Sequence, residues 1–276
     1  MYAYARSRYS SLMNLIRPLL ILITSIALWG CGDSEPLQVN NWRIDTGYTI
    51  SQPIKILHIS DIHYEEDTGP EVMAELAKIA GATKPDIIAI TGDYTGENSV
   101  ATDRIRPLII DGLEALSEGR RAYVTLGNHE HYTHTEKWLM ALSRSSLELI
   151  EGYSQIITIR GVDICLRGLG DTFTGNYRHV PFSQDCTEIK LTLTHDPYAV
   201  QIDPESGVYL AGHTHCGQLN LPLIGAPWMP TKASDEYWCG YGSDGNKKWI
   251  TSSGVGTTFF DVRIGTTASV ELIELY

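Results

Sequence analysis

The sequence predicts an α/β protein whose strands form a mixed sheet assembly. Apolar segments rich in β-branched residues alternate with helical patterns from residue 54 to about residue 142. The remainder of the chain contains mostly strand-like segments, so further strands join those that the helices connect. Five short polar motifs each follow an apolar run directly. Because open α/β sheets bind ligands at the carboxyl ends of their strands, these motifs are expected to converge on one edge.

Length and composition fit a globular protein and limit its partners. The 276 residues, of which 43% are hydrophobic and 20% charged, suffice for one large domain or two small ones. The net charge of −12 argues against a nucleic-acid partner, since such proteins neutralise phosphates with Lys and Arg. An acidic protein can still bind a phosphate-bearing ligand when metal ions supply the positive charge.

Residues 1–30 differ in composition from the rest of the chain. They contain three arginines and no acidic residue, with an apolar run from Pro18 to Leu28. This run is short for a membrane span and typical of the core of a signal peptide. Its end resembles a bacterial lipoprotein cleavage site, which predicts lipidation of Cys31. An uncleaved anchor is the alternative, and both predict a membrane-anchored protein on the extracytoplasmic side of the cell envelope.

Residues 31–50 are polar and irregular, and are predicted to be a tether to a domain that spans residues 51–276. Besides Cys31, the chain contains four cysteines, none of them in a Cys-x-x-Cys pair: Cys165, Cys186, Cys216 and Cys239. A zinc ribbon is therefore unsupported. In an exported protein one or two disulfides are possible, and buried free thiols are the alternative.

Strands and helices alternate over the first half of the domain. The predicted strands are Ile54–Ser60, Asp86–Asp93 and Ala122–Leu126. The predicted helices are Pro70–Ala80, Ile105–Leu116 and a segment that begins at a Thr133–Glu136 capping box and continues through Leu142.

The second half is mainly strands. A hairpin is predicted over Ile156–Leu166, turning at Arg160 and Gly161. Further strands are predicted at Glu188–Thr194, Gly207–Ala211, Lys248–Ser252 and Ser269–Leu275. Residues 219–248, rich in Pro, Gly, Trp and Tyr, are predicted to be an irregular flap beside the polar motifs.

The motifs combine carboxylates, imidazoles and one amide. In chain order they are Asp61-x-His63, Gly92-Asp93, Gly127-Asn128-His129-Glu130, His195 and Gly212-His213-Thr214-His215. Each alone is common in surface loops. Oxygen and imidazole ligands without a thiolate favour Mn, Fe or Zn. The neighbouring acids Glu130 and Asp196 either orient these ligands or cap local turns, and His58, inside a strand, is predicted to be a packed core residue.

This set, in this order, resembles the calcineurin-like metallophosphoesterase superfamily over about residues 54–276. The ending from Ser253 to Arg263 is similar to a branch of membrane-associated phosphodiesterases and UDP-2,3-diacylglucosamine hydrolases. The resemblance implies a four-layer α-β-β-α sandwich of two mixed sheets, with a dinuclear metal site at the carboxyl ends of the strands. It also implies a phosphoester substrate, for which the cell envelope or its lipids are the expected source.

The resemblance further assigns two divalent ions, Mn, Fe or Zn. The first would be bound by Asp61, His63, Asp93 and His215. The second would be bound by Asp93, Asn128, His195 and His213. Asp93 would be shared through its two carboxylate oxygens, and a hydroxide formed between the ions would attack phosphorus. His129 would assist catalysis by supporting the transition state or protonating the leaving oxygen. The expected reaction is hydrolysis of a phosphodiester or pyrophosphate; a phosphomonoesterase and a metal-free binding scaffold are the alternatives.

Overall fold

The computed structural model describes residues 36–96 and 99–276. The predicted signal peptide at residues 1–30 and the lipidation site Cys31 lie outside the described residues. Among the helices that are described, none is both long enough and apolar enough to cross a bilayer.

Two six-stranded sheets form the centre of the domain, and both are mixed. The first has the order β1-β12-β2-β3-β4-β5 and comprises β1 Gln38–Ile44, β2 Ile54–Ile59, β3 Ile87–Thr91, β4 Arg121–Thr125, β5 Glu148–Leu149 and β12 Ser269–Leu275. The second has the order β10-β11-β9-β8-β7-β6 and comprises β6 Ser154–Ile159, β7 Val162–Gly168, β8 Ile189–Leu193, β9 Gly207–Ala211, β10 Gly240–Asp244 and β11 Lys247–Thr251.

Helices cover the outer faces of these sheets unequally. The helices are α1 Gly69–Thr83, α2 Ser99–Leu116, α3 Asn128–Tyr132, α4 Thr135–Leu142 and α5 Tyr198–Ile202. Apolar residues of α1, α2 and α4 pack with the outer face of the first sheet. The inner faces of the two sheets form a second core. Within the part of the chain that the structure describes, the outer face of the second sheet is covered only by α5, a 3₁₀ turn and loops. The predicted four-layer α-β-β-α sandwich is therefore confirmed, with a thin fourth layer.

The β6–β7 hairpin illustrates how local sequence determines local structure. Arg160 and Gly161 have φ values of 49° and 81°. Two consecutive left-handed residues define the two-residue turn that best matches the twist of a hairpin. His58 is buried in β2, where its Nε2 lies 2.8 Å from Oγ1 of Thr91, in agreement with the predicted core position.

The predicted tether is wrong between residues 38 and 44, because this segment forms strand β1. It pairs in parallel with β12, so that Gln38 is opposite Ser269 and Ile44 is opposite Leu275. The strand is at the edge of its sheet and keeps polar, partly exposed side chains, which hides its strand character from a pattern analysis. Its pairing partner lies about 230 residues away in the chain.

Two further local predictions are also wrong. The 219–248 segment is not irregular throughout, since it contains a 3₁₀ turn and β10, which pairs with β11. The predicted capping box does not form, because α4 begins after His134. The Thr133 hydroxyl instead donates to the carbonyl of His129 and accepts from Nε1 of Trp138. One helix earlier, the side chain of Glu130 reaches back and accepts the N–H of the N-cap residue Gly127, which is the half of a capping box that a glycine N-cap allows.

Candidate metal centre

All eight residues predicted to act at the site lie together at one edge of the two sheets. They follow β2 (Asp61, His63), β3 (Asp93), β4 (Asn128, His129), β8 (His195) and β9 (His213, His215). Each of them is buried. The folding of parallel strands therefore brings together side chains that are up to 154 positions apart in the sequence, from Asp61 to His215.

The backbone at this edge adopts an unusual conformation. Five of the predicted ligands have φ between 45° and 69°: Asp61, His63, Asp93, His213 and His215. Non-glycine residues rarely occupy this left-handed region, and such residues cluster at functional sites. Gly92 has φ 88°, and a Cβ there would lie 2.4 Å from the amide nitrogen of Gly127. A glycine is thus required for the loops after β3 and β4 to approach each other.

The first group of possible ligand atoms comes from Asp61, His63 and His215. Nε2 of His63 lies 3.1 Å from Nε2 of His215, which in turn lies 3.5 Å from Oδ1 of Asp61. Two nitrogen ligands that are each about 2.1 Å from one ion, at about a right angle, lie about 3 Å apart. The spacing of these imidazoles therefore fits a shared cation.

The second group comes from Asp93, His195 and His213. Nε2 of His195 lies 3.2 Å from Oδ2 of Asp93, 3.2 Å from Nδ1 of His213 and 3.2 Å from Oδ1 of Asn128. The amide oxygen of Asn128 thus completes a compact set of two oxygens and two nitrogens. This set is as closely spaced as the first.

Asp93 lies between the two groups. Its Oδ2 is 3.2 Å from Nε2 of His195 and 3.7 Å from Nε2 of both His63 and His129. Its Oδ1 accepts the backbone N–H of His129 at 2.9 Å. A single oxygen therefore faces both groups, whereas the sequence suggested one oxygen for each ion.

Backbone carbonyls determine which nitrogen of two histidines faces the site. Nδ1 of His195 lies 2.6 Å from the carbonyl oxygen of Thr91, and Nε2 of His213 contacts the carbonyl of Pro230. A carbonyl only accepts, so these nitrogens carry protons, and the opposite nitrogen of each ring is the one that faces the site.

Burial sets the charge of the first group. It lowers the pKa of His63 to about 3 and that of His215 to about 4, so both are neutral at pH 7, the form that binds a metal. Burial also lowers the pKa of His195, but the Asp93 carboxylate raises it by more, and the net pKa lies well above its usual value. Burial alone would raise the pKa of Asp93, but the nearby His195 and His129 lower it by more, so that the net pKa lies well below its usual value. The negative charge of Asp93, which favours the protonated form of His195, also favours the binding of a divalent cation.

Buried carboxylate, amide and imidazole donors at these spacings fit divalent transition metals. Residues 54–217, more than half of the chain, match the model of the family described as calcineurin-like phosphoesterase.

The chain is a calcineurin-like phosphoesterase.

It is therefore a hydrolase of phosphoester bonds from a family that uses divalent metals. Phosphodiesterase YaeI of Escherichia coli K12 is 28% identical over 229 residues, which cover 81% of this chain and 82% of YaeI. The transmembrane protein with metallophosphoesterase domain of Bos taurus is 26% identical over 197 residues, covering 64% of this chain and 43% of the bovine protein. UDP-2,3-diacylglucosamine pyrophosphatase LpxG of Chlamydia trachomatis is 24% identical over 98 residues, covering 35% of this chain and 29% of LpxG.

Glu130 supports the loop that presents Asp93 in this phosphoesterase. Its Oε2 accepts the N–H groups of Asp93 (2.8 Å) and Gly127 (2.9 Å). Its Oε1 accepts the N–H groups of Tyr94 (2.9 Å) and Thr95 (3.4 Å). Burial and the nearby Asp93 raise the pKa of Glu130 to about 7. Of the two roles open from the sequence, Glu130 therefore performs both, as it orients a ligand loop and caps α3.

Replacing Glu130 with Gln is expected to lower the free energy of unfolding by about 2–3 kcal/mol, since the new NH₂ group must face one pair of N–H donors. Urea denaturation followed by circular dichroism measures this loss. Glu136→Gln is the matched control, because the Glu136 side chain is 73% exposed. Equal stability of the two variants would contradict a supporting role for Glu130.

Of its two possible roles, Asp196 caps a local turn, since its Oδ1 accepts the N–H of Tyr198 at 3.1 Å, and it also connects two loops. Its Oδ2 accepts from the hydroxyl of Thr172, and its Oδ1 accepts from the hydroxyl of Thr231. The Thr172 loop also carries Phe173, whose ring centroid lies 4.6 Å from that of His213. Asp196 thereby connects the loops that contain Thr172 and Thr231, both of which lie beside the second group.

The structure resolves the cysteine alternatives in favour of two disulfides, Cys165–Cys186 and Cys216–Cys239. Cys216 follows His215 directly and has φ 54°. Its disulfide therefore attaches the histidine loop to the segment before β10. The sequence alone offered no way to choose this pairing.

Arg263 is a site residue that motif reasoning did not assign. Its Nη2 donates to the carbonyls of Gly254 and Gly256 and lies 3.3 Å from Nδ1 of His215. Its Nε and Nη1 are buried without a hydrogen-bond partner among the described residues. Burial lowers the pKa of Arg263 to about 10, so the guanidinium stays charged at neutral pH beside the first group. No sequence motif indicates this role, because Arg263 lies 48 positions after His215 in the chain.

Proposed function

We propose that this phosphoesterase binds two divalent cations, Mn, Fe or Zn, and hydrolyses a phosphodiester or pyrophosphate bond at the extracytoplasmic surface of a membrane. The observation that carries the proposal is Oδ2 of Asp93, which faces two separate groups of ligand atoms. A single carboxylate oxygen in this position suits two neighbouring cations, which in such sites lie about 3.5–4 Å apart.

We assign the ligands by the two groups. Asp61, His63, Asp93 and His215 would hold one cation. Asp93, Asn128, His195 and His213 would hold the other. When bound, two such cations supply positive charge to phosphate oxygens and acidify a water molecule that can attack phosphorus. The chain itself orients the ligands through the carbonyls of Thr91 and Pro230.

His129 is proposed as the residue that handles a proton. Its ring is buried beside Asp93 and packs edge-on against His63, with ring centroids 4.7 Å apart. Its Nδ1 has no hydrogen-bond partner among the described residues. The ring can therefore carry a proton and give it to the leaving oxygen of the substrate, while its backbone N–H steadies Asp93.

Replacing His129 with Ala separates this role from that of a ligand. A general acid contributes about 10²–10⁴-fold to the rate, so kcat should fall by that factor while the metal content stays unchanged. Activity assays combined with metal analysis of the same preparations measure both quantities. A fall in bound metal would instead make His129 a ligand, which its place in the group with His63 and Asp93 makes geometrically possible.

The substrate class and location rest on sequence and relatives. YaeI is named a phosphodiesterase and LpxG a pyrophosphatase of a diacylated nucleotide sugar. These names support a diester or pyrophosphate from the cell envelope, and the apolar run of residues 18–28 supports membrane attachment through a lipid or an anchor. The net charge of −12 supports the absence of a nucleic-acid partner.

Metal reconstitution tests the proposal directly. Purified full-length protein is stripped with a chelator, loaded with Mn²⁺, Fe²⁺ or Zn²⁺, and assayed on chromogenic phosphomonoesters, phosphodiesters and pyrophosphoesters. We expect two bound ions per chain, no activity without metal, and hydrolysis of diester or pyrophosphate after loading. A chain that binds no ion after loading would be a scaffold, and hydrolysis confined to monoesters would make it a phosphomonoesterase.

A further inference from the structure

Two neighbouring loops beside the metal centre carry large apolar side chains into solvent. Leu223 and Ile224 are 108% and 72% exposed, and Phe259 and Phe260 are 68% and 67% exposed. We call these four residues the apolar loop tips. Isolated exposed apolar residues are common on protein surfaces, but adjacent ones of this size mark an interaction site.

Gln218 holds the two loops together at their base. Its side-chain amide donates to the carbonyls of Thr258, Phe260 and Val262, at 3.1, 2.8 and 3.0 Å, and its Oε1 accepts the N–H of Thr258 at 2.9 Å. The backbone of Asn220 also donates to the carbonyl of Ile264 at 2.7 Å. Gln218, three residues after His215, therefore fixes the two loops that carry the apolar loop tips to each other.

The sequence of these loops is nearly free of charge in a strongly acidic protein. Residues 219–230 contain no Asp, Glu, Lys, Arg or His, and Asp261 is the only charged residue of residues 255–262. The exposed Trp228 lies on the first of these segments. An uncharged surface with aromatic side chains matches the boundary of a lipid bilayer, where charged groups are costly and aromatic rings are favoured.

The chain also enters the domain at this same edge. Gln38, the first residue of β1, is opposite Ser269, and its N–H donates to the carbonyl of Ala268 at 3.0 Å. Ser269 begins β12, which runs antiparallel to β2 and so starts at the end of β2 that leads to Asp61. The attachment point, the metal centre and the apolar loop tips thus share one edge of the first sheet.

The connection to the predicted anchor is short. Only residues 32–36 lie between Cys31, the predicted lipidation site, and Leu37. An extended chain spans at most about 3.6 Å per residue, so this connection reaches at most about 20 Å. A lipid on Cys31 would therefore keep the entry edge of the domain close to the bilayer.

We infer that the apolar loop tips dock into a lipid membrane, so that the metal centre opens at the bilayer surface. The inference rests on the proposed membrane attachment and deepens it, since a short tether alone does not determine which face the domain turns to the lipid. A site held in this way acts on phosphoesters whose apolar part stays in the bilayer and whose phosphate group lies at its surface.

Quenching by lipid bromine tests this orientation. Full-length variants Ile224→Trp and Phe260→Trp place a reporter on each loop, and Tyr48→Trp, at the opposite edge after β1, is the matched control because Tyr48 is also an exposed aromatic residue. The proteins are added to phosphatidylcholine liposomes with and without brominated acyl chains. We expect the reporters at positions 224 and 260 to lose most of their fluorescence, and that at position 48 to lose none beyond the wild-type loss.

Two results would overturn the inference. One is equal quenching at positions 48, 224 and 260, and the other is protein that stays in the supernatant when the liposomes are sedimented. Each variant is also assayed on a soluble phosphodiester with Mn²⁺. An active enzyme without selective quenching contradicts the docking alone, whereas inactivity of the wild type on every phosphoester tested contradicts the proposed function.

Discussion

Replacing Asp93 with Asn is expected to lower kcat/KM for a phosphodiester by at least about a thousandfold. Loss of residues that merely orient metal ligands costs about 10–100-fold, and Asp93 contacts both candidate groups itself. The substitution preserves size, and Oδ1 of the new amide can still accept the N–H of His129. Its NH₂ group then occupies the position that faces both candidate groups, where a donor cannot act as a metal ligand.

The control for Asp93→Asn is Asp111→Asn, the same chemical change at an exposed position of α2. Metal content is measured alongside activity, and we expect the Asp93 variant to lose at least one ion per chain. Circular dichroism verifies that both variants are folded. Retention of two ions and of wild-type activity by a folded Asp93→Asn protein would remove the basis of the dinuclear proposal.

Removing the Cys216–Cys239 disulfide is expected to reduce both stability and activity. The two bridged residues are 23 positions apart, and closing a loop of this length stabilises the folded state by about 3 kcal/mol. His215 and Cys216 are consecutive left-handed residues, with φ of 48° and 54°, a conformation that persists only where the surroundings impose it. Without the bridge, His215 should leave its position beside Asp61, and activity at low metal concentration should fall by about 10–100-fold.

The second disulfide supplies the matched control. Cys165 and Cys186 are 21 positions apart, so their loop entropy is nearly the same, but the bridge joins β7 to the segment before β8, away from the histidine loop. Replacing both cysteines of each bridge with Ser gives two variants for urea denaturation and for activity titrated with Mn²⁺. We expect similar losses of stability and a raised metal requirement only for the Cys216 and Cys239 variant. Equal metal requirements would show that the bridge does not position His215.

Much of the site was predictable because its chemistry is local. Asp61, Asp93 and His195 each follow a short apolar strand within a few residues, and strand ends in α/β sheets converge. Helix α1 was visible from its apolar periodicity and from Pro70 in its first turn. Helix α4 was predicted from a Thr133–Glu136 capping box that does not form, so its end was right but its start was not. The start of α2 was not, since Pro107 lies inside that helix rather than near its beginning.

The elements that escaped prediction depend on partners far away in the chain. Strand β1 is stabilised by β12, and Arg263 reaches the first group only because the Gly254–Gly256 turn packs against Asp61. No role was predicted for the side chain of Gln218, yet its amide donates to a loop 40 positions later in the chain. No periodicity or spacing encodes such contacts, because they form only when the layers have packed.

The sequence by itself determined the α/β class, the family and the set of residues that meet at the candidate metal centre, because strand patterns and ligand types are local properties of the chain. The tertiary structure alone decided which oxygen of Asp93 faces both groups, which cysteines pair, and that the chain enters at the same edge as the site and the apolar loop tips. The physical reason is that these features are distances between segments, and only the pairing of strands and the packing of the two sheets fix such distances.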